Sequence, residues 1–261
     1  MSRAALPIDV VVPVYKGLEQ TQRCIASLQA AQTTVPFEMV LIDDRSPEPA
    51  LAAYLRTLAG QPRVTLIENA DNLGFVASVN LGMARHPERD VVLLNSDTAV
   101  ADGWIDRLHA CAQRDAAIGT VTPFSNNATI CSYPGFCADN PLPPDCTLGE
   151  LDALFRRVNA GRTLDLPTAV GFCMYIKRAC LDQVGPFDAA RFGKGYGEEN
   201  DFSLRAAAAG WRNVLCADTF VFHEGGASFG PERETLQAQA RETLNALHPH
   251  YEETVRRFVL H

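Results

Sequence analysis

The chain has 261 residues, 47% of them hydrophobic and 21% charged, with 23 Lys and Arg against 31 Asp and Glu for a formal net charge of −8. That apolar content excludes a chain disordered throughout, and apolar stretches such as 169–176 fall far short of the ~18–20 residues a bilayer-spanning helix needs. An acidic balance, with a pI near 5.2, argues against nucleic acid as a partner, because phosphate backbones call for clustered Lys and Arg. A single diphosphate held through a metal on carboxylates stays open.

The first 122 residues alternate strand and helix patterns. The β-branched run Ile8–Val14 reads as a strand, and 19–31 as a helix with Cys24, Ile25 and Leu28 on one face. Strand 37–42 ends on Asp43-Asp44, helix 49–59 follows, and 64–67 is a third strand. Residues 75–85 are helical, Val91–Leu94 is a fourth strand, Trp104, Ile105, Leu108 and Cys111 mark a helix, and 118–121 is another strand. This order implies a mostly parallel sheet flanked by helices, an α/β fold. Residues 122–145 show no period, and a loop of that length in a compact domain is usually functional.

Beyond the loop, the pattern predicts a helix over Leu148–Val158, a strand over 169–176 and a short helix from Arg178. A Gly-rich loop at 192–197 leads into a helix over 198–209. Two short strands, 213–216 and 219–223, follow around a turn. Leu236, Ala240, Leu244 and Leu247 then share one helical face, and Pro249 restarts a second helix. The expected organisation is one catalytic domain over 1–230, with a C-terminal helical extension over 231–261 packed on it.

Eight cysteines include no CxxC pair, and Cys24, Cys111, Cys173, Cys180 and Cys216 lie in apolar segments, so buried reduced thiols are expected. Cys131, Cys137 and Cys146 cluster in the irregular stretch without a nearby His, and no zinc site is expected there. The opening residues reach Pro7 before any apolar run of signal-peptide length, which reads as a cytosolic N-terminus.

In an open parallel sheet, ligands bind beyond the carboxyl ends of the strands. The first strand leads into Pro13-Val14-Tyr15-Lys16-Gly17 rather than a GxGxxG turn. Neither a P-loop nor a GxSxG elbow occurs, and Gly193-Lys194-Gly195-Tyr196-Gly197 follows no strand. The second strand ends in Asp43-Asp44-Arg45-Ser46 and the fourth in Asn95-Ser96-Asp97-Thr98. Carboxylates at two strand ends converge on one rim, where their repulsion costs stability unless they serve a ligand or metal. Ser46 is read instead as a helix cap, and Asp102 as the cap of the helix after Asp97. Glu198, Glu199 and Asp201 open a helix, where the dipole favours acids, although three in one turn exceed what that preference explains.

These segments, together with Asn72-Leu73-Gly74-Phe75 and Val221-Phe222-His223-Glu224-Gly225, stand in an order that resembles family 2 glycosyltransferases of the GT-A fold, over about residues 8–230. The run 122–129 is similar to bacterial, rhamnosyltransferase-like enzymes of surface polysaccharide synthesis. The resemblance implies that Asn95-Ser96-Asp97 is the nucleotide-sugar motif, with Asp97 holding a divalent cation, Mg²⁺ or Mn²⁺, that bridges the donor phosphates. Asn95 stands where many relatives carry Asp, so the site holds less charge. His223 either completes the metal site or is structural. Asp43 and Asp44 would contact base and ribose, Pro13, Val14 and Tyr15 would line the base pocket, and Asn72, Gly74 and Phe75 would approach the ribose and phosphates. For Tyr15 and Phe75, plain core packing is the alternative. An acceptor hydroxyl needs a base, and the aligned position is Glu199, with Glu198 beside it and Asp201 positioning. Residues 225–228 would form a flap over the diphosphate. His86, His109, His248, His250 and His261 are read as structural or solvent-facing.

The implied activity is metal-dependent, inverting transfer of a sugar from a nucleoside-diphosphate donor to a hydroxyl of a glycan or lipid-linked glycan, in bacterial cell-surface polysaccharide synthesis. No nucleic acid is involved. The expected location is the cytoplasm, with peripheral contact at the inner face of the membrane where the acceptor is lipid-linked. The sugar, the nucleotide (UDP, dTDP or GDP) and the oligomeric state stay open at this level. Two other readings remain: a nucleotidyltransferase that makes the nucleotide sugar, whose Gly-rich basic loop after the first strand is missing, and a non-catalytic nucleotide-sugar-binding module, which the retained Asp97 and Glu199 disfavour.

Overall fold

The computed structural model describes residues 6–225 and 233–260. Its main sheet has eight strands: β1 (Ile8–Val14), β2 (Phe37–Asp43), β3 (Val64–Glu68), β4 (Val91–Leu94), β6 (Ile118–Phe124), β7 (Thr163–Leu166), β8 (Cys173–Ile176) and β9 (Arg212–Phe220). They lie in the order β3-β2-β1-β4-β8-β6-β9-β7. Strands β1 to β4 pair in parallel, β8 runs antiparallel between β4 and β6, β9 is parallel to β6, and β7 is antiparallel at the edge. A two-stranded sheet joins β5 (Thr98–Ala99) to β10 (Phe222–His223).

The Val-rich central strands are apolar at nearly every position because helices cover both faces. Along β1, Val10, Val12 and Val14 point into one core with Cys24, Ile25 and Leu28 of α1 (Leu18–Ala30). Val11 points the other way, against Val76, Val79 and Met83 of α3 (Phe75–Met83). Helices α2 (Pro49–Leu58) and α4 (Trp104–Gln113) fill the remaining crossovers, and α5 (Leu148–Val158) packs on β9. Gly82 lets α3 sit close on the sheet. A Cβ there would lie 2.4 Å from Val11 Cγ1 and 2.9 Å from Ile42 Cδ1, both on central strands with no room to yield. We expect Gly82→Ala to cost about 2–3 kcal/mol through overpacking, a Tm drop of roughly 5–10 °C in thermal unfolding.

Several sequence expectations need correction. The segment 169–176 is a strand only over Cys173–Ile176, because the amides of Ala169 and Val170 donate to Ser203 Oγ and Thr122 Oγ1. The strand expected at 213–216 and the first residues of the one expected at 219–223 form one strand, β9, while Phe222–His223 form β10. The pairing of β9 with β6 jumps from Cys216 to Phe220, and β10 then leaves for the small sheet. Strand β7 escaped notice because three of its four residues are exposed at the sheet edge and carry no alternation. Ser46 does not cap α2, whose first turn starts after Glu48; its hydroxyl accepts the Glu48 amide within the preceding turn. Nor does Asp102 cap α4, which begins after Gly103 at φ 69°; its carboxylate accepts the Gln32 amide at the end of α1.

All eight cysteines are free thiols, and the five expected in the core are buried. The last three helices before the tail are α6 (Arg178–Val184), the short α7 (Ala189–Phe192) and α8 (Glu198–Ala208). In the tail, α9 (Arg233–Leu247) packs on α7 and α8, and α10 (Tyr251–Leu260) folds back beside α9. Among the described residues, no helix is long and apolar enough to cross a membrane.

Candidate active site

At the ends of β1 and β2 the chain builds a turn cradle. The carboxylate of Asp44 is buried, and four donors meet it. Leu73 N and Asn69 Nδ2 donate to Oδ1, each at 2.8 Å, while Gly74 N at 2.8 Å and Asn72 Nδ2 at 3.1 Å donate to Oδ2. A carboxylate has about four lone-pair sites, and these four donors engage Asp44 in shaping the 72–74 turn. Among the described residues, the Asp43 carboxylate accepts the Ser46 amide, at 2.7 Å on Oδ1. Gly74, at φ 84°, presses on the next loop. A Cβ there would lie 2.7 Å from Lys194 Cα, and the adjacent Phe75 amide donates to the Lys194 carbonyl. Val14 is buried, Pro13 and Tyr15 are half-buried, and the Lys16 ammonium lies 5.2 Å from the Tyr15 ring centre. Phe75 packs partly into the core.

The second group lies beyond β4. The β5–β10 ladder sets His223 opposite Thr98, which brings Nε2 to 3.3 Å from Asp97 Oδ1. His223 Nδ1 is 2.6 Å from the Asn127 carbonyl. A carbonyl only accepts, so Nδ1 carries the hydrogen and Nε2 is the atom that faces the carboxylate. Asn126 fixes the His223 backbone from both sides, accepting its amide and donating to its carbonyl. Burial works to raise Asp97, but the His223 hydrogen bond and charge outweigh it and hold the carboxyl below its ordinary range. Burial likewise works to lower His223, and Asp97 with the Asn127 carbonyl outweighs it, so the imidazole is raised. Two donor atoms bound side by side at about 2.1 Å on an octahedral ion stand roughly 3 Å apart. The observed 3.3 Å, a carboxylate oxygen and an imidazole nitrogen held by a second hydrogen bond therefore fit a divalent cation.

The third group opens α8. Gly197, at φ 85°, starts the helix, and Glu198 and Glu199 follow with both Oε2 atoms buried and without a hydrogen-bond partner. Burial and the neighbouring Glu199 charge raise Glu198 well above the usual carboxyl range, and a hydrogen bond between the two side chains adds to this. Burial also raises Glu199, opposed by the amides at the helix start and by the Glu198 bond, which favours its ionised form. The pair thus holds a proton to higher pH than free carboxyls do, with Glu198 as its keeper.

The folded chain therefore binds more protons than the unfolded one above pH 4.5, the ordinary value, and this part of its stability is present at low pH and lost as pH rises. The slope reaches at most about 1.4 kcal/mol per pH unit per proton, roughly 3–5 °C in Tm. We expect Glu198→Gln to flatten this slope and to raise Tm relative to the parent chain at the alkaline end of a pH series.

One short segment joins the groups. A Cβ on Gly171 would lie 3.5 Å from Glu199 Cγ, the Phe172 ring stacks on His223 at 5.2 Å, and the Phe172 carbonyl accepts the Asn95 amide. The structure thus brings Asn95, Asp97, His223 and Glu199 around residues 171–172, with Ser96 buried beside Asp97. Asp201 is placed otherwise, for Arg205 Nε and His248 Nε2 each lie 2.8 Å from its carboxylate. Sequence reasoning missed Asn126, Phe172 and His248, which act through contacts with residues 47 to 97 positions away. Of the expected flap, Gly225 is described and 226–228 lie outside the described residues.

A further set of donor atoms, on Asp9, Glu38 and His86, lies within 4.8 Å of one another. It sits at the opposite end of β1 and β2, and Arg89 already bridges it at 2.9 Å from Asp9 and 2.7 Å from Glu38. This internal ion pair is no part of the rim.

Comparison with known proteins bears on the family and the fold. The chain is 27% identical over 256 residues to an N-acetylglucosaminyl-diphospho-decaprenol L-rhamnosyltransferase of Mycobacterium tuberculosis, covering 85% of this chain and 78% of that one. It is 26% identical over 238 residues to the O-antigen biosynthesis protein RfbC of Myxococcus xanthus, covering 87% of this chain and 18% of RfbC. Among solved structures it is similar to GalNAc-T7, crystallised with UDP, GalNAc and Mn²⁺, at a TM-score of 0.68 and 19% identity, over 94% of this chain and 50% of that one. This chain is thus much shorter than some relatives and comparable in span to others. A family model described as "Glycosyl transferase family 2" matches residues 9–185. The chain belongs to glycosyl transferase family 2 and carries its GT-A fold.

Proposed function

We propose that the protein transfers a sugar from a nucleoside-diphosphate donor to a hydroxyl of a glycan or lipid-linked glycan, with inversion at the anomeric carbon, in cell-surface polysaccharide synthesis. The observation that carries this reading is the meeting of the Asp97–His223 pair with the half-buried carboxylate of Glu199 around residues 171–172. Asp97 and His223 Nε2, with Asn95 beside them, would hold Mg²⁺ or Mn²⁺. A bound cation supplies Lewis-acid charge to the departing diphosphate.

The protein's own groups account for the rest. Glu199, ionised, accepts the proton of the acceptor hydroxyl as that oxygen bonds to the anomeric carbon. The bond from that carbon to the diphosphate oxygen breaks with its electron pair on the diphosphate. One displacement at that carbon, with Glu199 as the base, inverts its configuration. Asp43, with acceptor capacity in reserve, is assigned to the nucleoside, with Pro13, Val14 and Tyr15 as the pocket wall. Asp44 and Asn72 shape the turn that presents Gly74 and Phe75. The mycobacterial relative's name supports a deoxyhexose donor and a lipid-diphosphate-linked amino sugar as acceptor class, which would draw the enzyme to the cytoplasmic membrane surface.

The test is thermal unfolding with UDP, dTDP and GDP and their sugars, with and without Mn²⁺ or Mg²⁺, followed by release of nucleoside diphosphate. Cation-dependent stabilisation by one nucleotide series, with slow hydrolysis of its sugar, is the expected outcome. No response to any donor with either cation would overturn the reading.

A further inference from the structure

The Gly-rich loop before α8 encloses a cavity of about 140 Å³ against α9, with residues 190–195 on one wall and Leu236, Gln239 and Ala240 on the other. That volume is close to the ~150 Å³ that admits one benzene ring and well below the ~300–1,000 Å³ of sites that bury a drug-sized ligand. One small group fits it, and a nucleotide does not. The chain carries a formal net charge of −8, yet the charged residues that line this cavity are Arg191 and Lys194, both cations. Lys194 is exposed, and among the described residues no hydrogen bond or ion pair engages its ammonium. Arg191 pairs with Asp188 through Nη1, which leaves the other donors of its five-donor fork. The amides of Gly193 and Gly195 already donate to the carbonyls of Ala189 and Phe192. The donors these walls offer a ligand are therefore the Lys194 ammonium, the Arg191 guanidinium and the Gln239 amide.

Two close approaches fix the cavity relative to the rim. A Cβ on Gly74 would lie 2.7 Å from Lys194 Cα and 3.1 Å from its Cγ, so the backbone and stem of Lys194 cover the open face of the 72–74 turn. A Cβ on Gly197 would lie 3.1 Å from Phe192 Cε1 and 3.3 Å from Ala240 Cβ, both wall residues of the cavity. Gly197 precedes Glu199 by two residues, ~3 Å of helix rise. The cavity thus lies between the turn that Asp44 shapes and the start of the helix that carries Glu199.

We infer that this cavity is a phosphate site, in which Lys194, Arg191 and Gln239 hold a phosphate group of a lipid-diphosphate-linked acceptor. This rests on the glycosyltransferase reading. Transfer onto such an acceptor brings two diphosphates to one rim. The donor diphosphate departs and is assigned to the cation at Asp97 and His223. The acceptor diphosphate stays intact through the reaction, so it needs fixed positive charge and hydrogen-bond donors rather than a Lewis acid, and Arg and Lys side chains supply both. Phe192 and Leu236 add apolar wall for the first carbons of the lipid. Free pyrophosphate offers the same chemistry, and the test separates the two sources.

Calorimetry in EDTA, with no donor present, measures binding of geranyl diphosphate, inorganic pyrophosphate and geraniol to the full chain. Chelation keeps the cation site at Asp97 out of the measurement. Geranyl diphosphate is expected to bind more tightly than pyrophosphate, since each buried CH₂ is worth roughly fourfold, and geraniol not to bind. Lys194→Met keeps a stem over Gly74 and removes the charge. It is expected to weaken geranyl diphosphate about ten- to a hundredfold, the usual worth of a bond to a charged group. Gln239→Glu sets a negative charge on the α9 wall and is expected to cause a loss of the same order. Arg256→Ala, at an exposed cation on α10, stays within twofold.

Parental affinity in Lys194→Met or in Gln239→Glu, or equal weakening by Arg256→Ala, would each overturn the inference. Pyrophosphate bound as tightly as geranyl diphosphate would assign the cavity to free phosphate and overturn the acceptor role. A parent chain that binds geranyl diphosphate in EDTA, yet responds to no donor with Mn²⁺ or Mg²⁺, upholds the phosphate site and speaks against the transferase reading. Donor response without chelator-resistant binding does the reverse.

Discussion

Glu199→Gln is expected to lower turnover by about 10²–10⁴-fold, the usual worth of a positioned general base, while cation-dependent nucleotide binding stays within twofold of the parent chain. Gln keeps the volume and can occupy the same space between Gly171 and the start of α8, so the expected loss is of proton acceptance alone. Glu198 cannot stand in for it. It is 4% exposed and is raised well above the ordinary range by burial and by its neighbour, so it keeps the shared proton. Because Glu199 is itself raised, and the base must be ionised, turnover in the parent chain should fall as pH drops through a value above the ordinary 4.5 of a Glu side chain. Steady-state rates across pH for the two chains check both statements. A Glu199→Gln enzyme with parental kcat, or an acid limb at or below 4.5, would remove Glu199 from the role.

Much of this was legible in sequence, and the reasons are local. The alternation of Val-rich runs with 3.6-period segments marks β1 to β4 and their helices because each element buries its own face within about thirty residues. The acids at the ends of β2 and β4 could be read because parallel strands end on one rim. Three kinds of feature could not be read. The ladder of β5 with β10 is two residues long on each side and joins residues far apart in the chain, Phe222 with Ala99 and His223 with Thr98, yet it is what sets His223 against Asp97. The direction of β8 depends on a long return through 122–172 whose pairing leaves no periodic trace. Asp44 and Asp201 look in sequence like Asp43 and Glu199, acids at an element's end. Only the donors that surround them, four for Asp44 and Arg205 with His248 for Asp201, separate acids that build the site from those free to meet a substrate.

Asp97→Ala is expected to abolish cation-dependent binding of nucleoside diphosphate, with a loss of at least ~100-fold in apparent affinity, since second-shell partners of metal ligands alone are worth 10–100-fold. The rim explains why so much rests on one carboxylate. Asp43, Asp97 and the Glu198–Glu199 pair line it, so a bare diphosphate meets like charge and needs a divalent ion between. Asn95, at the first position of the motif, adds no charge, which leaves Asp97 as the motif's one anionic donor. Removing it also releases His223. Without the Asp97 bond and charge the imidazole loses its largest support against burial, and Nε2 is left without its carboxylate partner. Asp97→Asn separates the two effects. It keeps the side-chain shape and a hydrogen-bonding oxygen near His223 while removing the charge, and should bind nucleotide as weakly as Asp97→Ala if charge is what the diphosphate requires. Calorimetry with the nucleoside diphosphate at fixed Mn²⁺, repeated after chelation, provides the measurement. The parent chain with chelator should match both variants, and a variant that retained parental affinity would show that the cation is held elsewhere on the rim.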